Sequence, residues 1–514
     1  MTKLKHVKLF VSLGFYLLLS IGFIFAESNK NEIFVSNISE LNAAIGSVKP
    51  GQIIVMKDGE WKNAAIDFNS SASANDPITL RAQTSGKVIL EGNSTLIFSK
   101  PFLIVDGLVF KNGKIENGSV ITLNSDYCRL TNSAIIDYNP DDFQTNYYWI
   151  YFQGSHNRMD HCLLKGKNNM NPVVQNHEEN ARYNSVDSCL VKDIPYVKHA
   201  NGREIFRIFG YGHADQTGDD GAYFTIEYNL FDHSDGEGTE IVSLKSNYNT
   251  VRYNTVIASK GGLVGRRGKF NTFEGNFVFG QGLEGTTGIR VAGANHRVVN
   301  NYIVDVAEDG LRLITGEYYQ KSLTSHFAPK KKALPKYLQV QNGYFANNTI
   351  INCGGFGIDI GYAYQSHWPD LQMVLLPENN RIVNNIVYNC KENAINVAIQ
   401  DKNPPLDIFH FKPNTFEGNI IWGSKMNVAI PDGVKLLNPK FIVSKDGFYR
   451  PQKNSPLLNG GVNSEVKIDM DGQNRLILNG VGADEISSEK TINHPLKASE
   501  VGPKWMMQKK QHLN

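Results

Sequence analysis

From about Val48 onward, apolar and polar residues alternate with a period of two, in short runs of Val, Ile, Phe and Tyr broken by Gly and Asn. That period puts alternate side chains on opposite faces of extended strands, and the breaks mark tight turns. One phrase keeps returning: an alternating run, then Asn or Cys, then two or three more apolar residues. Its copies include NRMDHCLL from Asn157, NSVDSCLV from Asn184, FTIEYNLF from Phe224, NTVRYNTVI from Asn249, NTFEGNFVF from Asn271, HRVVNNYIV from His296, NRIVNNIVY from Asn380 and NTFEGNIIW from Asn414. Asn229, Asn254, Asn276 and Asn301 follow one another at 25, 22 and 25 residues. Such a repeat is one turn of a solenoid. Three short strands per coil, stacked at about 4.8 Å, account for its length. The recurring Asn is then expected to form a ladder, bonding the next coil's backbone and the next Asn.

An open solenoid end needs a cap. SNISELNAAIGSV from Ser36 offers an Asn or Ser N-cap and an apolar helical stripe, which predicts a short capping helix. Residues 315–343 and 361–379 interrupt the period with aromatic and charged residues. They read either as loops over a binding groove or as surface decoration.

The N-terminus changes the compartment. MTKLKHVK runs into the apolar stretch Leu9–Ala26 and then into ESNKNE, the order of a signal peptide at residues 1–26. The apolar run, about 18 residues, also reaches the lower limit for a membrane anchor. A periplasmic or secreted protein is expected, with one domain over residues 27–487 and a tail over 488–514. Lys plus Arg number 52 against 50 for Asp plus Glu. This gives no polyanion-binding field of the nucleic-acid kind, so an acidic substrate must be met by a local basic site. No protein partner is inferable. The five cysteines lack CxxC spacing, and Cys162 and Cys189 occupy one place in the repeat, which reads as small buried residues rather than disulfides.

Charge is dense for strand-like sequence between Asn201 and Arg290: NGREIFR, DGEGTEIVSLKS, GRRG and GIRV. Lys245 and Arg266 lie 21 residues apart, close to one coil. On the same strand of successive coils, their Cα atoms would be about 5 Å apart. An adjacent cation would depress the lysine and leave a neutral amine as a base. Elimination across C4 and C5 of a uronic acid needs such a base, neutralisation of the C6 carboxylate and protonation of the leaving O4. The same spacing equally suits solvated residues paired with Glu240 and Glu237. Arg290 and Arg312, in GIRV and GLRL, put cations into apolar strands, where exposure on a groove is the simplest reason. Lys167, Arg207, Tyr211, Arg267 and His296 are further candidates for holding a polyanion, and each equally reads as a structural surface residue. His161, in DHC, reads as a turn histidine or a substrate contact.

NRMDHCLLKGKNNM, NGREIFRI, EGTEIVSLKS and GRRG, in this order, resemble the β-helical polysaccharide lyase family that contains alginate lyases and chondroitinase B. The resemblance runs from PGQIIVMKDGEW to DMDGQNRLILNGVGADE. It implies an all-β chain, a single-stranded right-handed parallel β-helix, cleaving a uronate-containing glycan, most closely alginate, by β-elimination. It also implies Lys245 as the Brønsted base and Arg266 as the acid, although a guanidinium rarely gives up a proton and Arg266 also reads as a charge stabiliser. A Ca²⁺ held by Asn and a Glu-x-Glu pair maps onto Asn201 and Glu240. The remaining ligand position falls on Gly238, and Glu237, one residue away, would face the other side of a regular strand unless a bulge restored it. Without that ligand, Arg207 or Arg290 would neutralise the carboxylate alone.

A dermatan sulfate lyase is the nearest alternative, but repeats that continue to Asn419 and the closing VGADE look more like single-solenoid alginate lyases. A pectin-type hydrolase would need converging carboxylates, for which TGDDG (Thr217–Gly221) is the rival cluster. A glycan-binding solenoid would have no use for a lysine one coil from an arginine.

Overall fold

A computed structural model describes residues 31–508, apart from 177, 198–200, 211–219, 320–336, 369–370, 399–411, 427–428 and 476–479. Each coil contributes one strand to each of three long sheets. Sheet 1 has fourteen strands, from Glu32–Val35 to Thr415–Glu417; sheet 2 has fourteen, from Gly59–Lys62 to Val434–Leu436; sheet 3 has twelve, from Ala65–Phe68 to Ile395–Val397. Within each sheet, neighbouring strands come from successive coils and run parallel. This is the parallel β-helix the repeat predicts. A single coil cannot bury its own apolar face, so the core is a column. In sheet 1, Leu130, Met159, Val186, Ile226, Val251, Phe273 and Val298 sit in register, one per coil, and all are buried.

The Asn ladder forms as expected. The amide of Asn229 donates to Asn254 (3.1 Å), Asn254 to Asn276 (3.1 Å) and Asn276 to Asn301 (2.9 Å). It continues through Asn348, Asn385 and Asn419 at 2.9–3.0 Å. Each oxygen also accepts a backbone N–H from the preceding coil, as Asn254 does from Asn229 (3.0 Å). Buried amides are thereby satisfied by their own kind. Cys189 and Cys162 continue the column upstream, and all five cysteines are free and buried. A second ladder escaped the sequence reading. Phe102, Tyr127, His156, Tyr183, Tyr223, Tyr248 and Phe270 stack ring on ring at the corner between sheets 3 and 1, with centroids 4.6–5.2 Å apart.

The predicted cap is the Ile38–Ser47 helix. Asn37 accepts the Glu40 N–H (2.9 Å), and the Glu40 carboxylate returns to the Ser36 N–H (2.7 Å). The two interruptions of the period meet in one accessory element, a three-stranded antiparallel sheet of Gly316–Tyr319, Leu371–Leu375 and Gln365–Trp368. Met373 packs it onto Ala292 and Ile314, beside Tyr337 and Tyr362.

From residue 488 the chain turns back along the outside of sheet 2. Leu496 N–H donates to Thr255 (2.8 Å), Gly502 N–H to Ser188 (2.8 Å) and Lys504 N–H to Asn132 (2.7 Å). Val501 packs over Val109, Ala134, Leu163, Leu190 and Leu230. Trp505 lies flat on Gly86, where a Cβ would come within 2.6 Å of the indole. Among the described residues, no helix is long and apolar enough to cross a membrane, and the stretch before residue 31 lies outside them.

Candidate active site

The site grows from one row of sheet 3. Val242, Leu244, Ile289, Val291, Leu311 and Leu313 belong to the core, so the residues between them face outward. In register these are Gln175, Arg207, Ser243, Val264, Arg290, Arg312 and Asp359. Three arginines on one row would repel one another unless carboxylates stood among them.

Glu204, Glu237 and Glu240 do so, each with an oxygen within 4.8 Å of the others. Glu204 precedes the Phe206–Ile208 strand and is buried; it pairs with Lys245 and with Arg207 (3.3 Å). Glu240 opens the Glu240–Lys245 strand, also buried, and takes Arg290, Arg266 (3.3 Å) and the Ser243 hydroxyl. Burial pushes the Glu240 carboxyl up, but Arg290, Arg266 and Lys245 outweigh it and hold it below the ordinary value. Glu237 is pushed up by burial and then by the negative charges of Glu204 and Glu240.

The question left at Gly238 has a geometric answer. The strand begins only at Glu240, and Asp235–Gly238 is a turn closed by Gly238 N–H to Asp235 (2.8 Å). Gly238 has φ +84°, and a Cβ there would collide with the Tyr196 ring, so no glutamate fits. Glu237 reaches the cluster from the turn, held by the Gly202 N–H (2.8 Å) and the Thr239 hydroxyl (2.9 Å). Asn201, the expected amide ligand, is exposed in the turn beside Gly202. The buried Arg203 braces this turn, donating to Gly236 (2.8 Å), Pro195 (2.6 Å), Asn169 (2.9 Å) and Lys167 (2.8 Å) carbonyls.

Lys245 and Arg266 do not stack on one strand position. Leu244 pairs with Gly265 and Lys245 with Arg267, so Arg266 is the extra residue of a bulge. A bulge re-aims a side chain. Arg266 turns to Glu240 and lies 3.8 Å over the Tyr337 ring, while Lys245 faces Glu204 and the Phe209 ring (5.2 Å). The expected pair of confronting cations is thus replaced by two cations on separate carboxylates.

Two candidates for polyanion contact are corrected. Lys167 is 1 % exposed, its ammonium enclosed by the Asn169 carbonyl (3.2 Å) and side chain (2.7 Å) and by the Met170 and Asn171 carbonyls (2.8 Å each), so it organises its own loop. His296 is also buried; its Nδ1 accepts the Asn271 N–H (3.2 Å) and its Nε2 faces the Ala292 carbonyl (3.0 Å). Burial lowers it to about 4, so it is a neutral rung of a ladder with Asn249 and Asn271. Arg312 faces outward but is matched by Asp309 and Glu308 and covered by Tyr362 (4.4 Å). Arg207 is held by Gln175 (2.7 Å), and Arg267 is half-buried beside Lys245. Tyr211 lies outside the described residues. His161 sits at the corner between sheets 1 and 2, beside Asp160 (3.5 Å) and away from this row. Of the rival acidic run, Asp220 is paired with Arg182, and residues 217–219 lie outside the described residues.

Known proteins resemble this chain over most of its length. The family model described as Chondroitinase B matches residues 35–455. The PL6 family polysaccharide lyase from Pseudopedobacter saltans is 45% identical, with a TM-score of 0.75, over 92% of this chain and 99% of that one. The PL6 family alginate lyase AlyGC is 26% identical (TM-score 0.72) over 92% of this chain and 58% of its own length. A mannuronic acid specific family 6 lyase from human gut microbiota is 26% identical (TM-score 0.65) over 78% of this chain and 92% of that one. No curated protein matches. A family model matched over residues 35–455, with a 45% identical lyase covering 92% of the chain, places this chain in the Chondroitinase B family, as a β-helical polysaccharide lyase.

Proposed function

We propose that this lyase cleaves alginate by β-elimination on the outer row of sheet 3, with Lys245 as the base. The observation that carries the reading is Lys245 at the centre of a patch of arginines on an otherwise polar face, in a chain similar to AlyGC and the mannuronic acid specific lyase. Arg207, Arg290 and Arg267 would bind the uronate carboxylates. Lys245 Nζ would take the C5 proton. Arg266, held flat by Tyr337, would stabilise charge developing on O4 while water supplies the proton, because a guanidinium seldom releases its own.

The carboxylate cluster fits a hard divalent cation. Three buried or half-buried oxygen donors converge, and Glu237 is already destabilised as an anion by its two neighbours. Glu204, Glu237 and Glu240 would hold Ca²⁺, which when bound would neutralise the substrate carboxylate and acidify C5–H. Residues 1–26 would direct the enzyme to the periplasm or medium, and N-terminal sequencing of the exported protein tests that.

The central test follows ultraviolet absorbance with alginate, poly-mannuronate, poly-guluronate, dermatan sulfate and polygalacturonate, with and without chelator. Elimination leaves a conjugated, absorbing uronate. A rise on alginate that chelator abolishes is expected. New reducing ends without absorbance would overturn the elimination, and a rise on dermatan sulfate alone would move the substrate.

A further inference from the structure

The outer row of sheet 3 does not stop at the arginines. Toward the N-terminal cap it continues from Arg207 through Gln175 to Tyr151, Thr122 and Ile97. There it opens into a cavity of about 410 Å³ lined by Tyr148, Tyr151, Gln153, Asn124, Ser119 and Thr122, among others. Tyr151 is three strands from Ser243, so the cavity lies about 14 Å along the same sheet face from the reacting centre, a span of several sugar rings that a longer chain covers.

The chemistry differs from that of the centre. No lysine or arginine lines the cavity. A negative charge adjoins it: Tyr151 donates to Glu178 (3.2 Å). The Tyr148 and Tyr151 rings stack on each other with centroids 5.4 Å apart and 28° between planes, which holds them as a firm wall. Three amides (Asn124, Asn146 and Gln153), two hydroxyls and two phenol rings are what a pyranose ring takes through its hydroxyls and its C–H face. No cation in this lining would pair with a carboxylate.

We propose that this cavity is a distal subsite of the lyase groove, taking one sugar ring of the polysaccharide by hydroxyl and aromatic contacts without reading its carboxylate. The proposal rests on the lyase reading above. Two consequences follow from its lack of charge. Its contribution grows with substrate length, because a short oligomer held at Lys245 does not reach it. It is also insensitive to salt, whereas contacts made by Arg207 are screened.

The experiment compares kcat/KM for oligouronates of increasing length and for the polymer, in wild type, Tyr151→Ala and Asn124→Trp, at low and high salt. Asn124 is exposed, so the tryptophan fills the cavity without entering the core. Expected is a loss through KM that rises to about five- to tenfold on long chains, the worth of one aromatic wall. The loss falls away as the chain shortens and is the same at both salts; Tyr151→Phe, which keeps the ring, retains most of the length dependence. Equal losses at every length, or none from folded variants, would overturn the subsite. An inactive wild type on every uronate would remove the lyase reading and the subsite with it, a result distinct from an active wild type with unaffected variants.

Discussion

Sheets 2 and 3 are built by the same coils, yet their outer rows share almost nothing. On sheet 2 the row runs Val109, Ala134, Leu163, Leu190, Leu230, Thr255, Phe277 and Tyr302. Its first half lies under the returning C-terminal segment, and Phe277 and Tyr302 lie under Phe448, Met470 and Ala483. On sheet 3 the row is Tyr151, Gln175, Arg207, Ser243, Val264, Arg290 and Arg312, and among the described residues its arginines are met by Glu204, Glu240 and Tyr362 rather than by an apolar segment. The inner rows do one job, closing the column, and tolerate any well-fitting apolar residue. The outer rows are where the faces diverge: an apolar row needs a lid, and a charged one needs counter-ions and a ligand.

Removing the chemistry from sheet 3 should have the largest effect. Lys245→Ala is expected to lower kcat by about 10²–10⁴-fold, the usual worth of a positioned base, in a variant that remains folded. A variant that keeps wild-type absorbance rates would break the assignment of sheet 3 as the working face.

Sheet 2 should respond in the opposite sense. Val501→Asp puts an unmatched charge against Leu163, Leu190 and Leu230, and is expected to cost on the order of 3 kcal/mol. Thermal unfolding should shift down while kcat of the folded enzyme at low temperature holds. If activity falls with no shift in melting, the lid is not the separate stabilising element this comparison makes it.

Within the column that both faces share, Asn276→Ala strips the acceptor from the Asn254 amide and N–H, and about 1–3 kcal/mol of stability should go with it. Denaturant titration reads that loss, and a neutral result would mean the ladder is ornamental.

The smallest effect is a pH dependence at the far end of sheet 3. Burial raises Asp359 from 3.8 to about 6, so the folded protein binds its proton more tightly than the unfolded chain. The associated stability is complete below 3.8 and is lost as pH rises through 6. Asp359→Asn keeps an oxygen for Asn396 and should flatten the slope of melting temperature against pH between those values. An unchanged slope would assign the dependence elsewhere.

How much was legible follows from how local each feature is. The coil period, the Asn column, the buried cysteines and the Asn37 cap each depend on residues repeating or lying within a few positions, and pattern alone reveals them. Spacing marks Lys245 and Arg266, and Glu240 is legible as a partner that Arg266 indeed takes, but the partner of Lys245 is not. Glu204 lay inside the quoted NGREIFR and went unassigned, because its place depends on an insertion that stretches one coil to 40 residues between Cys189 and Asn229. Glu237 was doubted on the rule for a regular strand, and a turn carries it instead. Lys167 and His296 looked like surface cations because composition does not reveal burial.

Alternation and repeat length suffice for a stacked parallel solenoid, since each coil must find the next to hide its apolar face. Which outward residues meet is a matter of register, bulges and segments returning from hundreds of residues away, as Lys504 returns to Asn132. Those contacts form only after the column exists to bring them together, and a linear pattern carries no record of them.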